Sequence, residues 1–290
     1  DQVVVVEEVE PLVETELKAQ GIEVIGKEIL PLMGELSPNV LRPAIARLLG
    51  EAVPDAQPVV PLKVFPRPPT MCVACPHLGV YYTLSQVRNL TISGDIGCYT
   101  LGAGHPWNAL DTCVSMGASM GMALGLDKGR GESDKDKRIV AVIGDSTFFH
   151  TGIPALLNVV YNRSNVITII MDNRITGMTG HQENPGTGLT LQGKETVEVE
   201  IEPLVKALGI RRVKTLEGHD VEGIEKTLRQ WLKEDEPAVL ITREECALLP
   251  SARKRWLALE VIADQCNGCT MCFRIGCPAI NKSSELDPKY

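Results

Sequence analysis

The chain has 290 residues, 44% of them apolar, enough to bury one large core or two smaller ones. A net charge of −8 with no basic run argues against a nucleic-acid partner, and aromatics at 4% argue against recognition by ring stacking. The longest soft apolar stretch, residues 116–126, is broken by glycines and too short to span a bilayer, which argues against a membrane partner.

From the N-terminus, residues 3–6 form a short β-branched run and Pro11-Leu12 opens a helix. Residues 23–25 read as a second short strand, and Pro38–Leu49 as a helix closed by Gly50. Residues 1–50 are too small for an independent α/β domain and are expected to be the C-terminal part of one. Pro54, Pro58, Pro61, Pro66, Pro68 and Pro69 mark residues 51–70 as an extended linker. The chain does not begin with Met and shows no secretory signal, so a processed chain or a piece of something longer is expected.

Residues 71–250 read as a doubly wound α/β domain. Residues 90–93 form a strand ending in Gly94-Asp95-Ile96-Gly97-Cys98, a turn whose two glycines let backbone approach a ligand closely. Gly117, Gly121 and Gly125 then form a smooth stripe on a helix, suited to a subunit interface or to close packing within the domain. After a charged loop at 128–138 comes the centre of the chain. Residues 139–143 and 166–171 are nearly continuous apolar runs, as parallel strands covered on both faces are. Between them Ile153, Leu156, Leu157 and Val160 recur on one helical face. Asp145 and Asn173 follow the two strands, where α/β sheets bind ligands. A carboxylate and an amide oxygen converging there suit a hard cation such as Mg²⁺ holding a diphosphate. A lone Asp after a strand is more commonly a helix N-cap, and the paired Asn173 moves the reading towards the metal. Residues 183–193, rich in Gly, Pro and Thr, read as a mobile loop over the site. A helix at 203–208, a strand near Val213, a helix at 221–233 capped by Gly218-His219-Asp220 and a strand at 238–242 complete the pattern.

Nine cysteines without a secretory signal point away from a disulfide scaffold and towards metal or redox chemistry in the cytoplasm. Cys266-x2-Cys269-x2-Cys272-x4-Cys277-Pro278 has the spacing of an iron–sulfur loop. Three thiolates would wrap one 4Fe–4S cluster, and a Cys before Pro commonly serves another. The final gap is four residues rather than the usual three, and a zinc site more often shows two separated pairs. Residues 251–290 are therefore expected to begin a 4Fe–4S ferredoxin-like domain, truncated before a second run of cysteines. Cys72 and Cys75 alone fit a redox pair or a zinc half-site. Cys98 and Cys246 each follow a strand and can reach one point near a cofactor. Cys113 is expected to be a buried, inert thiol in an apolar helix.

Gly144-Asp145-Ser146, with Asn173 28 positions after Asp145, resembles the thiamine diphosphate motif of thiamine-dependent enzymes. MCVACPHLG at 71–79, SGDIGCYTLG at 93–102, DTCVSMGAS at 111–119 and the block 144–188 narrow the resemblance. Together they resemble the C-terminal half of the alpha subunit in the indolepyruvate:ferredoxin oxidoreductase family, within the 2-oxoacid:ferredoxin oxidoreductases. The resemblance implies that Asp145, Asn173 and the carbonyl of Ile175 hold Mg²⁺. It places Gly144, Ser146 and Thr176 in the cofactor's seat, with Gly94, Asp95, Gly97 and Cys98 beside it. It further implies a cluster held by Cys72, Cys75, Cys98 and Cys246 close to thiamine, although Val73-Ala74 departs from the Pro-Gly usual between the first two. His77 is either a catalytic group facing the cofactor or a structural histidine. Met178 stands where related pyruvate enzymes carry a polar residue; it either favours an aryl substrate or fills a gap.

The implied activity is oxidative decarboxylation of an aryl 2-oxoacid such as indolepyruvate to an acyl-CoA and CO2, with electrons passed through 4Fe–4S clusters to ferredoxin. Coenzyme A and the 2-oxoacid are the implied substrates. A second subunit or an N-terminal half is implied to bring the catalytic Glu, so this chain alone is expected to be inactive. The alternatives are a non-oxidative thiamine-dependent decarboxylase and a non-catalytic iron–sulfur subunit.

Overall fold

A computed structural model of the chain describes residues 2–53, 68–134, 136–254 and 259–281. Most of the linker expected at 51–70 lies outside the described residues. The chain divides into two compact units, residues 1–67 and 68–290. In the first, β1 (Val3–Val4) and β2 (Val24–Ile25) pair in parallel around α1 (Leu12–Ala19), and α2 (Pro38–Leu49) follows. Pro38 opens α2 without sacrificing a bonded N–H, and Gly50 closes it at a φ of +68°.

The second unit runs α3 (His77–Gln86), β3 (Leu90–Gly94), β4 (Thr112–Cys113), α4 (Ser119–Gly129), β5 (Arg138–Gly144) and α5 (Asp145–Thr147). It continues through α6 (Ile153–Tyr161), β6 (Val166–Asp172), α7 (Ile201–Ala207), β7 (Arg212–Glu217), α8 (Val221–Trp231), β8 (Ala238–Arg243) and α9 (Pro250–Arg253). Six strands form one sheet in the order β4-β3-β5-β6-β8-β7, every neighbouring pair parallel. Alternation along β5 divides its side chains between two cores. Val140 and Val142 meet residues of α3 and α8; Ile139, Ala141 and Ile143 meet residues of α4, α6 and α7. Helices thus cover both faces, which is why β5 and β6 are apolar at nearly every position. Thr168 Oγ1, buried on β6 without a partner, costs about 1–3 kcal/mol. Ile167, Ile169 and Ile170, at about 1.5–3 kcal/mol each, outweigh it.

Three local expectations change. On α6 the buried positions are Leu156 and Val159, and Leu157 turns outward, one step round the helix. Cys113 is exposed on the two-residue edge strand β4 rather than buried in a helix, because the chain stays extended until Gly117 turns it into α4. Of the glycine stripe, Gly117 precedes the helix, and Gly121 and Gly125 face open space, so close packing within the domain does not explain them. Among the described residues no helix is long and apolar enough to cross a membrane.

Asp95 fixes where α4 begins. Its buried carboxylate accepts hydrogen bonds from the N–H groups of Gly117 at 2.7 Å, Ser119 at 3.0 Å and Ile96 at 2.8 Å. Gly117 holds a φ of +86°, and a Cβ there would strike Thr151. Asp95 and Gly94, which the resemblance places beside the cofactor, also pack within the fold. Asp95 is claimed by three backbone donors, and the space beside Gly94 is filled by Leu110. Asp95→Ala orphans those donors and is expected to cost about 2 kcal/mol. For a domain of this size the midpoint of thermal unfolding should fall by about 4–8 °C by calorimetry; an unchanged midpoint would remove Asp95 as the anchor.

Candidate functional site

The carboxyl ends of β3, β5 and β6 open into a cleft of about 90 Å³. At its base β5 ends in Gly144, and Asp145 is the first residue of α5, so the helix-capping position falls to Gly144. The helix continues through one turn of π-helix at Phe148–Gly152 into α6, an irregularity frequent at functional sites. Asp145 is buried; its Oδ2 accepts a hydrogen bond from Asn184 Nδ2 at 3.1 Å. Burial, then repulsion from Asp172, pushes its pKa up to about 7. Asp172 pairs with Arg243 at 2.7 Å and Arg174 at 3.9 Å.

On the facing strand end the chain makes two successive side-chain turns. Asp172 Oδ1 accepts from the Arg174 N–H at 3.2 Å, and Asn173 Oδ1 from the Ile175 N–H at 3.3 Å. With Arg174 at a φ of +61°, Asn173, Ile175 and Thr176 all line the cleft. Thr176 Oγ1 donates to Ser146 Oγ at 2.9 Å and ties the two strand ends together. The donor set is therefore a carboxylate, an amide oxygen and backbone carbonyls, hard oxygens that suit Mg²⁺ or Ca²⁺. The buried Asp145 carboxylate, held up by burial and by Asp172, is the group that a divalent ion would relieve.

Cys98 lines the same cleft, and three further thiols stand close by. Cys246 donates its backbone N–H to the Asn173 carbonyl at 3.0 Å. Cys75 is buried, which pushes its thiol up to about 12; the His77 N–H opposes this, and Cys72, Cys98 and Cys246 add to it. The four sulfurs thus lie within electrostatic range of one another. Among the described residues no three His, Cys, Asp or Glu side chains are close enough to hold a single ion. Cys72 to Cys75 form a turn closed by the Cys75 N–H on the Cys72 carbonyl at 3.2 Å, with Ala74 at a φ of +56°. Glycine is the natural residue there, so the chain keeps the turn without its preferred residue.

Several residues could not be read from local pattern. Tyr99 is buried against Gly144, where a Cβ would come within 2.3 Å of its ring, and its Oη donates to the Ile96 carbonyl and lies 2.9 Å from Thr147 Oγ1. Asn184 is buried on the 183–193 segment and accepts the Gly186 N–H at 2.9 Å. That segment is tied down by Asn184 and by the Leu189–Glu195 bridge rather than hanging loose. His77 lines the cleft with its ring edge towards Tyr99, and burial pushes its pKa down to about 4, which keeps it neutral. Met178 lines the cleft at its exposed rim. Cys266, Cys269, Cys272 and Cys277 do not line it; Cys266 follows a short 3₁₀ turn at Ala263–Gln265, and Cys272 lies within a second at Met271–Ile275. Ala74→Gly removes the left-handed strain and is expected to raise stability by up to about 1 kcal/mol. A lower unfolding midpoint in calorimetry would show that the turn tolerates alanine freely.

Residues 95–242 match the thiamine pyrophosphate enzyme family, C-terminal TPP binding domain. The chain is 37% identical over 327 residues to indolepyruvate oxidoreductase subunit IorA of Pyrococcus abyssi, a match covering 99% of this chain and 50% of that one. It is also 37% identical over 297 residues to the subunit of the same name from Archaeoglobus fulgidus, covering 96% of this chain and 47% of the relative. The chain thus spans about half the length of the curated relatives it matches. A solved 2-oxoglutarate:ferredoxin oxidoreductase from Magnetococcus marinus superposes with a TM-score of 0.54 at 18% identity. That overlap covers 63% of this chain and 66% of the other, a likeness of fold. With a TPP-binding domain over half its length and IorA subunits as relatives along nearly all of it, the chain belongs to the thiamine pyrophosphate enzyme family.

Proposed function

We propose that this chain holds the metal and diphosphate end of thiamine diphosphate in an aryl 2-oxoacid oxidoreductase. The assembly would convert an indolepyruvate-like substrate and coenzyme A to an acyl-CoA and CO2, passing electrons through 4Fe–4S clusters to ferredoxin. The observation that carries the reading is the group of Cys72, Cys75, Cys98 and Cys246 beside the cleft that Asp145 and Asn173 line. A purely decarboxylating enzyme has no use for four thiols there.

Asp145, Asn173 and the Ile175 carbonyl would hold Mg²⁺, whose charge offsets the buried carboxylate. Bound thiamine diphosphate supplies an electron sink at the 2-keto carbon, which lets CO2 leave. His77 presents a neutral imidazole to the cleft, where it can take or give a proton without leaving a buried charge. Four cysteine thiolates are the ligand set of a 4Fe–4S cluster. A cluster held by Cys72, Cys75, Cys98 and Cys246 would supply one-electron chemistry beside the cleft. The fold relative was solved with 2-oxoglutarate, coenzyme A and succinyl-CoA bound, which supports acyl-CoA as the product class. The remaining groups, a catalytic Glu among them, belong to a second subunit or to the other half of the protein. A reducing cytoplasm suits this many free thiols.

The full assembly, purified anaerobically, is expected to contain thiamine, iron and sulfide and to reduce a viologen dye with an arylpyruvate and coenzyme A. No reduction with any 2-oxoacid would sink the proposal. Asp145 must be ionised to bind a cation, and its raised pKa leaves it largely protonated below about 7. Mg²⁺ affinity should therefore weaken as pH falls through that value, by about tenfold per unit. Titration calorimetry checks this, and Asp145→Asn should flatten the slope; a wild-type affinity independent of pH would remove Asp145 as a ligand. Met178→Asn should raise the relative kcat/KM for small oxoacids over aryl ones, and unchanged ratios would detach Met178 from specificity.

A further inference from the structure

We propose that Asn184 is a positioning residue for the metal seat: it holds the Asp145 carboxylate in one orientation before a divalent cation and its diphosphate arrive. The inference rests on the metal and diphosphate reading of the cleft and adds to it the residue that sets its anionic ligand.

Asn184 lies 39 positions after Asp145 and is 5% exposed. A buried amide must satisfy a donor end and an acceptor end, and here each has its partner. Nδ2 donates to Asp145 Oδ2 at 3.1 Å, and Oδ1 accepts the Gly186 N–H at 2.9 Å. Turning the amide over would set oxygen against carboxylate and NH2 against N–H, so one orientation alone is satisfied. With Oδ1 turned to the backbone, the side chain meets Asp145 through its donor end. Asn184 therefore acts through that carboxylate rather than as a ligand itself.

The amide is fixed from behind. The Asn184 carbonyl accepts from the Thr187 N–H at 3.0 Å and from Thr187 Oγ1 at 2.9 Å, closing a turn over residues 184–187. That turn lies against the helical run that Asp145 opens: a Cβ on Gly186 would stand 2.7 Å from the ring of Phe149. Beyond the turn the Pro185 carbonyl accepts the Val199 N–H at 2.9 Å, and Glu198 pairs with Arg174 beside the Asn173 turn. Asp145 is thus held between its own helix and a turn seated on that helix. The kind of donor matters. A lysine or arginine in this place would neutralise the carboxylate and repel a cation. A neutral amide fixes the carboxylate and leaves its charge for the ion. Hydrogen bonds of this kind from outside the ligand set orient metal-bound carboxylates.

The test uses the full assembly, freed of metal and titrated with Mg²⁺ at a fixed concentration of thiamine diphosphate. Asn184→Ala removes the bond to Asp145, and Asn184→Leu removes it while filling the same space. Thr187→Val loosens the turn but leaves the Asn184 side chain in place. By calorimetry both Asn184 variants are expected to bind Mg²⁺ about tenfold to a hundredfold more weakly, and Thr187→Val to match the wild type. With Mn²⁺ in place of Mg²⁺, the electron paramagnetic resonance lines of the Asn184 variants should broaden, as a less ordered ligand set requires. Wild-type affinity and line width in both Asn184 variants, or an equal loss in Thr187→Val, would overturn this inference alone. A wild-type assembly that binds no Mg²⁺ with thiamine diphosphate would overturn the metal reading and this inference with it.

Discussion

A carboxylate kept out of water at the end of a central parallel strand is the constraint on which the site depends. Helices on both faces of β5 and β6 leave their carboxyl ends buried, and Asp145 stands at one of them. An isolated charge in such a place is costly, so the group either takes a proton or acquires a cation. Asp172 pairs with Arg243 and Arg174 and also repels Asp145. Asn184 donates to Asp145, and Asn173 turns the chain at the facing strand end by accepting the Ile175 N–H.

The two cysteine groups follow a related logic. Burial raises the thiols of Cys75, Cys98 and Cys246, so without a metal they stay protonated. Metal binding would exchange those protons for positive charge, as at Asp145. The domain thus sets a buried carboxylate and a group of raised thiols near one cleft.

Much of the parallel sheet was legible in the sequence because it is built from signals that need no partner to be read. Continuous β-branched runs gave β5, β6 and β8, and Pro38 with Gly50 bracketed α2. Asp145 and Asn173 could be paired from their interval because each follows such a run. What escaped depends on contacts between distant residues. Asp95 meets Gly117 and Ser119, 22 and 24 positions away, so its role as an anchor for α4 has no local signature. Asn184 reaches Asp145 from 39 positions away, out of a segment whose composition reads as loop. Cys113 and Leu157 were misplaced because residue type alone does not say on which side of a helix boundary or helix face a residue falls.

The ring of Tyr99 against Gly144 alters what a motif glycine means. Glycine in such a turn is usually explained by the ligand, whose phosphates need the backbone close. Here the protein's own aromatic side chain already occupies the place of a Cβ, within 2.3 Å. Position 144 is thus held to glycine by folding before any cofactor arrives. A descendant that had lost all activity would still be selected to keep it, and only a change at Tyr99 would set it free.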